Sequence, residues 1–154
     1  MIVILEAGPQ TTVQDLGRFR QLRYGIPPSG PMDAFAFRLA NRLVGNADSA
    51  AALECTVIGP QFQAHVPCAS AGPGAAMPVS VNGSSAPTWT TVVLKEGDVM
   101  KLGPARSGVR AYVAFSGGLD IPLVMGSRST YLRGRLGGLE GRALTKHDRL
   151  RLAA

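Results

Sequence analysis

Glycine and proline are the residues that most limit how this chain can fold. Of its 154 residues, 19 are glycine and 11 are proline, so 30 positions bend or interrupt a regular element. Both residue types are unfavourable inside helices and common in tight turns. The composition therefore favours a turn-rich β architecture over a helix bundle. Hydrophobic residues make up 45% of the chain and charged residues 17%, which argues against intrinsic disorder and fits one domain of this length.

One segment, residues 31–44, predicts a helix. Pro31 is tolerated at a first helical position, Asp33 suits the first turn, and Gly45 follows at the place of a left-handed cap. Phe37 falls on the side opposite to an apolar stripe. The residues of that stripe recur at spacings of three and four, and we expect them to be buried: Met32, Phe35, Leu39 and Leu43.

Most of the remaining chain is typical of short strands joined by turns. Asn82-Gly83 predicts a tight hairpin, and residues 7–30 form a long segment punctuated by glycine and proline. The predicted strands are 2–6, 53–57, 61–66, 79–81, 91–94, 99–102, 110–115 and 150–152. Short strands at close intervals with one main helix predict a small closed β-barrel.

The few cysteine and histidine residues give no metal signature. Cys55 and Cys68 are expected to be free buried thiols of a reducing cytoplasm. His65 and His147 have too few partners for a zinc site, so no metal is expected. The apolar amino terminus lacks a basic region, and no apolar run is long enough to span a bilayer. We expect a cytoplasmic protein with no membrane contact.

Positive charge is concentrated in the last third of the chain. Residues 1–100 hold 6 basic and 7 acidic groups, whereas residues 101–154 hold 10 basic and 3 acidic groups. Such a distribution suits a solvated basic face, an anionic substrate or an acidic partner. Tyr131 alone interleaves with the arginines near it, so nucleic acid is not expected as a partner.

Three clusters of polar residues carry chemistry-bearing side chains. In the first, residues 11–18, Arg18 either binds an anionic substrate group with Asp15 orienting it, or forms an ion pair that only fixes the loop. In the second, residues 27–33, the helix start offers N–H groups to a carboxylate or oxyanion, or Ser29 and Asp33 merely cap the helix. In the third, residues 126–131, hydroxyls flank Arg128 within a glycine-rich stretch that suits anion recognition.

These clusters resemble a known family when they are taken in order with neighbouring segments. The segments include QTTVQDLGR at 10–18, GIPPSGPMD at 25–33, ALECTVIGP at 52–60 and GSRSTYLRGRLGGLEGRAL at 126–144. Together they are similar to the biotin-dependent carboxyltransferase family, which is also named after allophanate hydrolase subunit 2 or after the C subunit of 5-oxoprolinase. The resemblance runs from about Leu5 to Leu152 and covers the first half of the usual family chain.

The resemblance implies a cyclophilin-like β-barrel, and we expect residues 1–154 to form a single lobe of that kind. It also implies one subunit of an ATP-dependent 5-oxoprolinase that opens 5-oxo-L-proline to L-glutamate with A-type and B-type partner subunits. One alternative is a carboxyltransferase that moves CO2 from carboxybiotin to urea or a similar amide. Another is a non-catalytic regulatory protein that antagonises a kinase inhibitor.

For a small amide-like substrate, the clusters supply the candidate site. A base is also needed, and Asp15 or Glu54 is available as a proton acceptor. The candidate catalytic residues are Asp15, Arg18 and Arg128. The candidate substrate-binding residues are Thr12, Gln14, Ser29, Gly30, Met32, Asp33, Ser127 and Ser129.

Overall fold

The structure, a computed structural model, describes residues 1–153. Within them the chain forms eleven strands, a short 3-10 turn at Leu22–Tyr24 and one α-helix, α1 (Ala34–Leu43). The strands are β1 (Ile2–Glu6), β2 (Gln10–Gln14), β3 (Ala52–Thr56), β4 (Gln61–Ala64), β5 (Cys68–Ala71), β6 (Val79–Val81), β7 (Ser84–Ala86), β8 (Thr91–Leu94), β9 (Val99–Leu102), β10 (Arg110–Phe115) and β11 (Arg149–Leu150). The predicted mainly β, cyclophilin-like fold class with one main helix is confirmed.

The strands form two antiparallel sheets that share one core. The first sheet has the order β11-β1-β4-β9-β6-β7, and the second has the order β2-β3-β10-β5-β8. Apolar residues that alternate along the strands point into the space between the sheets. Phe62 of the first sheet meets Phe115 of the second edge to face, with ring centroids 5.1 Å apart. The core therefore lies between the sheets and leaves the outer face of each available for other uses.

Helix α1 packs on the outer face of the second sheet. Asp33 is the N-cap and accepts a hydrogen bond from the Ala36 N–H, so the helix begins three residues later than predicted. Phe37 is fully buried and meets Tyr112 edge to face at 5.8 Å. Ala52 and Ala114 of the sheet lie in the same cluster, and such small side chains let the helix approach closely.

The predicted buried stripe of α1 is wrong. Met32 and Phe35 are 74% and 73% exposed and Leu39 and Leu43 are half-buried, whereas Phe37, on the side opposite to the predicted stripe, is fully buried. The physical reason is the sheet beneath the helix, whose alanines and Tyr112 form a pocket for one ring and two small residues, Ala36 and Ala40. Spacing alone favours the longer apolar stripe, but packing against the sheet selects the face with the small residues.

Most predicted strands are confirmed, and their turns explain why. Strands 2–6, 79–81, 91–94, 99–102 and 110–115 have the predicted bounds. Asn82 and Gly83 both have positive φ, 50° and 81°, as a two-residue hairpin between β6 and β7 requires. The strands β2, β5 and β7 are absent from the prediction. β5 and β7 are short and consist of small or polar residues with weak strand preference, and β2 lies within the long segment 7–30 that the prediction left without strands.

The helix assignment is testable with two phenylalanines on one helix. We expect Phe37→Ala to lower the free energy of unfolding by about 3–5 kcal/mol, because it empties a packed site between helix and sheet. Phe35→Ala, the matched control on the exposed side, should change it by less than about 0.5 kcal/mol. Chemical denaturation followed by circular dichroism measures both, and equal effects of the two substitutions would contradict the packing described here.

Candidate functional site

A row of polar side chains crosses the outer face of the second sheet. β2, β3 and β10 are neighbours, with Thr12 opposite Glu54 and Glu54 opposite Tyr112. Directly opposite residues in antiparallel strands share a face, so the three side chains project from the sheet together. The next row on this face holds Gln10, Thr56 and Arg110. Helix α1 covers the Tyr112 end of the sheet, and the Thr12 end stays open.

The open part of this face forms the floor of a cleft of about 390 Å³, which we call the first cleft. The segment leading into α1 forms one wall, and residues 130–133 form the other. Its polar groups include a carboxylate, hydroxyls, carboxamides and a guanidinium. They are carried by Gln10, Thr12, Gln14, Ser29, Glu54, Tyr131 and Arg133, with Gly30 and Met32 beside them.

Glu54 is the buried carboxylate of the first cleft. Its Oε2 accepts the Met32 N–H at 2.7 Å and the Tyr112 hydroxyl at 2.9 Å. Its Oε1 lies 3.4 Å from Nε of Arg110. Burial raises the pKa of Tyr112, and the nearby Glu54 charge raises it further. The phenol therefore stays protonated, and its O–H donates a hydrogen bond to Glu54. One oxygen of Glu54 is thus occupied, while the other faces a single ion-pair partner.

Gln14 connects the strand to the segment before α1. Its Nε2 donates to the Thr12 hydroxyl at 3.0 Å and to the Thr130 carbonyl at 3.3 Å, while its Oε1 accepts the Gly30 N–H at 3.1 Å. Tyr112 likewise accepts the Asp33 N–H at 2.7 Å. The N–H groups of Gly30, Met32 and Asp33, which we expected to hold an anion, therefore already have protein acceptors.

Asp15 lies behind the first cleft and ties β2 to residues 127–129. Its carboxylate accepts the Ser127 hydroxyl and the Arg128 N–H at 2.6 Å each, and the Ser129 hydroxyl at 2.7 Å. The Gly17 N–H also donates to it at 2.9 Å. Burial by itself would raise the pKa of Asp15, but these hydrogen bonds outweigh burial and hold the pKa below its usual value.

The two predicted catalytic arginines serve the same loop. Arg18 is 1% exposed and donates to the carbonyls of Val124 and Ser129 at 2.9 and 2.8 Å. Burial lowers the pKa of Arg18, and the Asp15 charge acts in the opposite direction. Arg128 is half-buried and its Nε donates to the Ile121 carbonyl at 2.8 Å. Neither arginine lines the first cleft, and their expected role in holding a substrate group stays a prediction.

The structure brings the three predicted clusters into contact. Residues 127–129 bind Asp15, and the Arg18 N–H donates to the Pro28 carbonyl at 2.6 Å. The candidate residues nevertheless divide into two groups by position. Those that line the first cleft are Thr12, Gln14, Ser29, Gly30 and Met32. Those that support it from behind are Asp15, Arg18, Ser127, Arg128 and Ser129, and Asp33 caps α1 beside another cleft. Their roles in a reaction stay predictions.

Five of the six residues in the polar rows are missing from the predicted site, and the two charged ones among them are Glu54 and Arg110. Glu54 enters the prediction only as a possible proton acceptor, and Arg110 does not enter it. The signal available in the sequence is an alternation of polar residues within strands: Gln10, Thr12 and Gln14, then Glu54 and Thr56, then Arg110 and Tyr112. Polar residues at alternate positions of a buried strand indicate that one face of the sheet does not pack against the hydrophobic core.

Other sequence predictions bear on chemistry outside this site. Cys55 and Cys68 are free and buried as predicted, and burial raises the pKa of the Cys55 thiol to about 12. Among residues 1–153, no three metal-ligating side chains of the His, Cys, Asp and Glu types lie close enough together to hold a metal ion. Within the same residues, no helix has the length and apolar character needed to cross a bilayer.

Comparisons with known proteins identify the family to which this fold belongs. The family described as carboxyltransferase domain, subdomain A and B, matches residues 24–154. Urea amidolyase of Lachancea kluyveri is 43% identical over 94% of this chain and 8% of its own length. The C subunit of 5-oxoprolinase from Escherichia coli is 41% identical over 97% of this chain and 48% of its own length. The solved structure of K. lactis urea amidolyase has a TM-score of 0.96 at 41% identity, covering 98% of this chain and 9% of that one.

The chain belongs to the carboxyltransferase domain family, and the resemblance predicted from the sequence is confirmed. It spans about half the length of its two 5-oxoprolinase relatives, 48% and 50%, and 8% of the two urea amidolyases. The expectation that residues 1–154 form a single lobe of a larger family chain stays a prediction.

The Asp15 network is testable as a contribution to stability. We expect Asp15→Ala to lower the free energy of unfolding by about 3 kcal/mol, because it leaves the buried hydroxyls of Ser127 and Ser129 without their acceptor. Asp120→Ala, at an exposed aspartate, is the control and should cost less than about 0.5 kcal/mol. Urea denaturation measures both, and a small effect at Asp15 would contradict a stabilising network.

The lowered pKa of Asp15 also predicts how stability depends on pH. The ionised carboxylate stabilises the fold fully above its unfolded-state pKa of about 3.9, and this contribution disappears as the pH falls through the lower folded-state value. The difference in unfolding free energy between the wild type and Asp15→Asn should therefore be largest above about pH 5 and shrink in more acidic buffer. For Asp120→Asn the difference should stay near zero, and a pH-independent difference at Asp15 would contradict the lowered pKa.

Proposed function

We propose that this chain is part of one subunit of an ATP-dependent 5-oxoprolinase-type enzyme. In this proposal it acts in the cytoplasm with A-type and B-type partner subunits and opens 5-oxo-L-proline to L-glutamate. The observation that carries the proposal is the first cleft, whose buried carboxylate and hydroxyl stand side by side at Glu54 and Thr12. Two relatives that are named as the C subunit of 5-oxoprolinase, and that match almost all of this chain, support it.

The groups of the first cleft are complementary to an amide bond. A lactam presents an N–H donor and a carbonyl acceptor on one edge. Glu54 offers an acceptor to the N–H, and the Thr12 hydroxyl, which accepts from Gln14, keeps its own proton for the carbonyl oxygen. As water adds to the carbonyl carbon, negative charge develops on that oxygen, and a donor already in place stabilises it. In this proposal Glu54 takes the proton that the attacking water loses and passes it to the leaving nitrogen as the C–N bond breaks.

Asp15, Arg18 and Ser129 act in this proposal as positioning residues. They fix residues 124–130 against β2, and Thr130 in turn binds the Val13 carbonyl through its hydroxyl at 2.8 Å. This places Tyr131 and Arg133 as the outer wall of the first cleft. The substrate carboxylate would meet Arg133 rather than the buried Arg18, because Arg133 is exposed at that wall.

In this proposal no residue of this chain binds ATP or biotin. The first cleft has one guanidinium and no run of free backbone N–H groups, so it does not fit a triphosphate. In this proposal ATP binds to the partner subunits.

Carboxyl transfer from carboxybiotin to urea or a similar amide is the second candidate function. It is favoured by the urea amidolyase of Lachancea kluyveri and by the TM-score of 0.96 to the K. lactis enzyme. Urea and 5-oxoproline both place an N–H beside a carbonyl, so the same cleft groups suit both. A reaction assay with each substrate is needed to separate the two functions.

Co-expression with candidate A-type and B-type partner proteins tests the proposed function. We expect the three proteins to elute together and to release glutamate from 5-oxoproline only when ATP is added. If the complex instead forms carboxylated urea when carboxybiotin and urea are added, the second candidate function is favoured. Co-elution with no turnover in either assay would favour the regulatory alternative.

The role of Glu54 is tested in the same complex. Glu54→Gln removes the acceptor charge but keeps the shape, and we expect glutamate release to fall about a hundredfold while the three proteins still elute together. Glu96→Gln, in an exposed turn, is the matched control and should retain full activity. Full activity of Glu54→Gln would remove this carboxylate from the mechanism.

A further inference from the structure

We propose that a second cleft binds the carboxylate of a small molecule, with Arg110 as its anchor and Trp89 as an apolar wall. This cleft has a volume of about 430 Å³ and lies on the far side of the Glu54–Arg110 contact from the first cleft. Residues 74–76 and 107–110 line it, with Trp89 and Asp33. A pocket of this size suits a small metabolite. The proposal goes beyond the proposed function and does not depend on it.

Arg110 has donors that the protein does not use. Its Nε is buried and, among residues 1–153, has no partner in hydrogen-bonding geometry, although the Glu54 Oε1 lies 3.4 Å away. Glu54 meanwhile receives two hydrogen bonds on its other oxygen, so Arg110 is not its only stabilising contact. A guanidinium presents five N–H donors in a planar fork that matches a carboxylate. This Nε is turned toward Glu54, so the group offered to the second cleft is the outer end of the Arg110 guanidinium, whose side chain is 22% exposed and lines that cleft.

The other walls indicate what kind of carboxylate fits. Trp89 and Val109 are 46% and 53% exposed and give the second cleft an apolar surface. Gly74, Ala75 and other small residues along its edge leave room for a ligand to approach the backbone.

Asp33, at the helix start, adds a negative charge on the opposite side. Its carboxylate is held there by the Ala36 N–H. A second negative charge on the ligand would be repelled, whereas an N–H donor would be accepted. The ligand class is therefore a monocarboxylate with an N–H group and a short apolar body.

Trp89 makes this proposal directly measurable, because it is the only tryptophan of the sequence. The probe is N-acetylglycine, which has one carboxylate and one amide N–H, and its neutral partner is N-acetylglycinamide. We expect N-acetylglycine to give a saturable change in tryptophan emission and the neutral amide to bind about tenfold more weakly or less. If the wild-type tryptophan emission shows no saturable change, or if both probes bind with equal affinity, the proposal is overturned.

Variants then assign the site to Arg110. We expect Arg110→Gln to weaken binding of N-acetylglycine at least tenfold, whereas Arg106→Gln, at an exposed arginine outside this cleft, should leave it unchanged. Arg110→Lys keeps a positive charge beside Glu54 but lacks the planar fork, so it should fold normally and still bind about tenfold more weakly. Thr12→Val, in the first cleft, should not alter the emission change. Wild-type affinity in a folded Arg110 variant overturns the proposal.

Discussion

A single buried carboxylate holds together the parts of this protein that the candidate site depends on. Asp15 stands at the end of β2 and receives hydrogen bonds from Ser127 and Arg128, which are 112 and 113 positions away in the sequence. A charge-assisted hydrogen bond to a buried carboxylate is stronger than a neutral one, and losing the carboxylate would leave several donors unsatisfied together. The position of residues 127–133, and hence one wall of the first cleft, follows from this one group.

The candidate site exists because helix α1 covers only part of a sheet face. Under the helix the sheet presents Ala52 and Ala114, whose small side chains admit the Phe37 ring. Beyond the helix the same face presents Thr12 and Glu54, which have polar partners instead of apolar ones. Burial of a carboxylate is costly without hydrogen bonds, and the start of the helix supplies one through the Met32 N–H. The segment before the helix therefore contributes a backbone N–H group to the site, and the helix itself contributes by covering the neighbouring part of the sheet face.

The sequence predicts the fold better than it predicts the site. Strand 110–115 is a short apolar run between turn residues, Ser107-Gly108 and Ser116-Gly117, so its limits are readable without a structure. β2 is not readable in this way, because its core-facing residues are Thr11 and Val13, so only one residue of its inner face is apolar. The pairing of Glu54 with Tyr112 depends on the register between β3 and β10, and neither strand encodes that register alone. Family resemblance locates the three clusters, but only packing divides them into residues that line the cleft and residues that support it.

The glycine content that limits the fold has a specific cause around Arg18. This buried guanidinium donates from Nε and Nη2 to the carbonyls of Val124 and Ser129, while its Nη1 has no partner among residues 1–153, so the backbone of residues 124–138 must wrap closely around it. Gly137 has a φ of 68°, and a side chain there would collide with the Ser129 carbonyl and with the Arg18 guanidinium. Gly138 similarly lies against Thr130, whose hydroxyl binds β2. A cation held by backbone carbonyls needs a chain with few side chains in its way, so the buried arginine and the glycine-rich segment are two consequences of one packing arrangement.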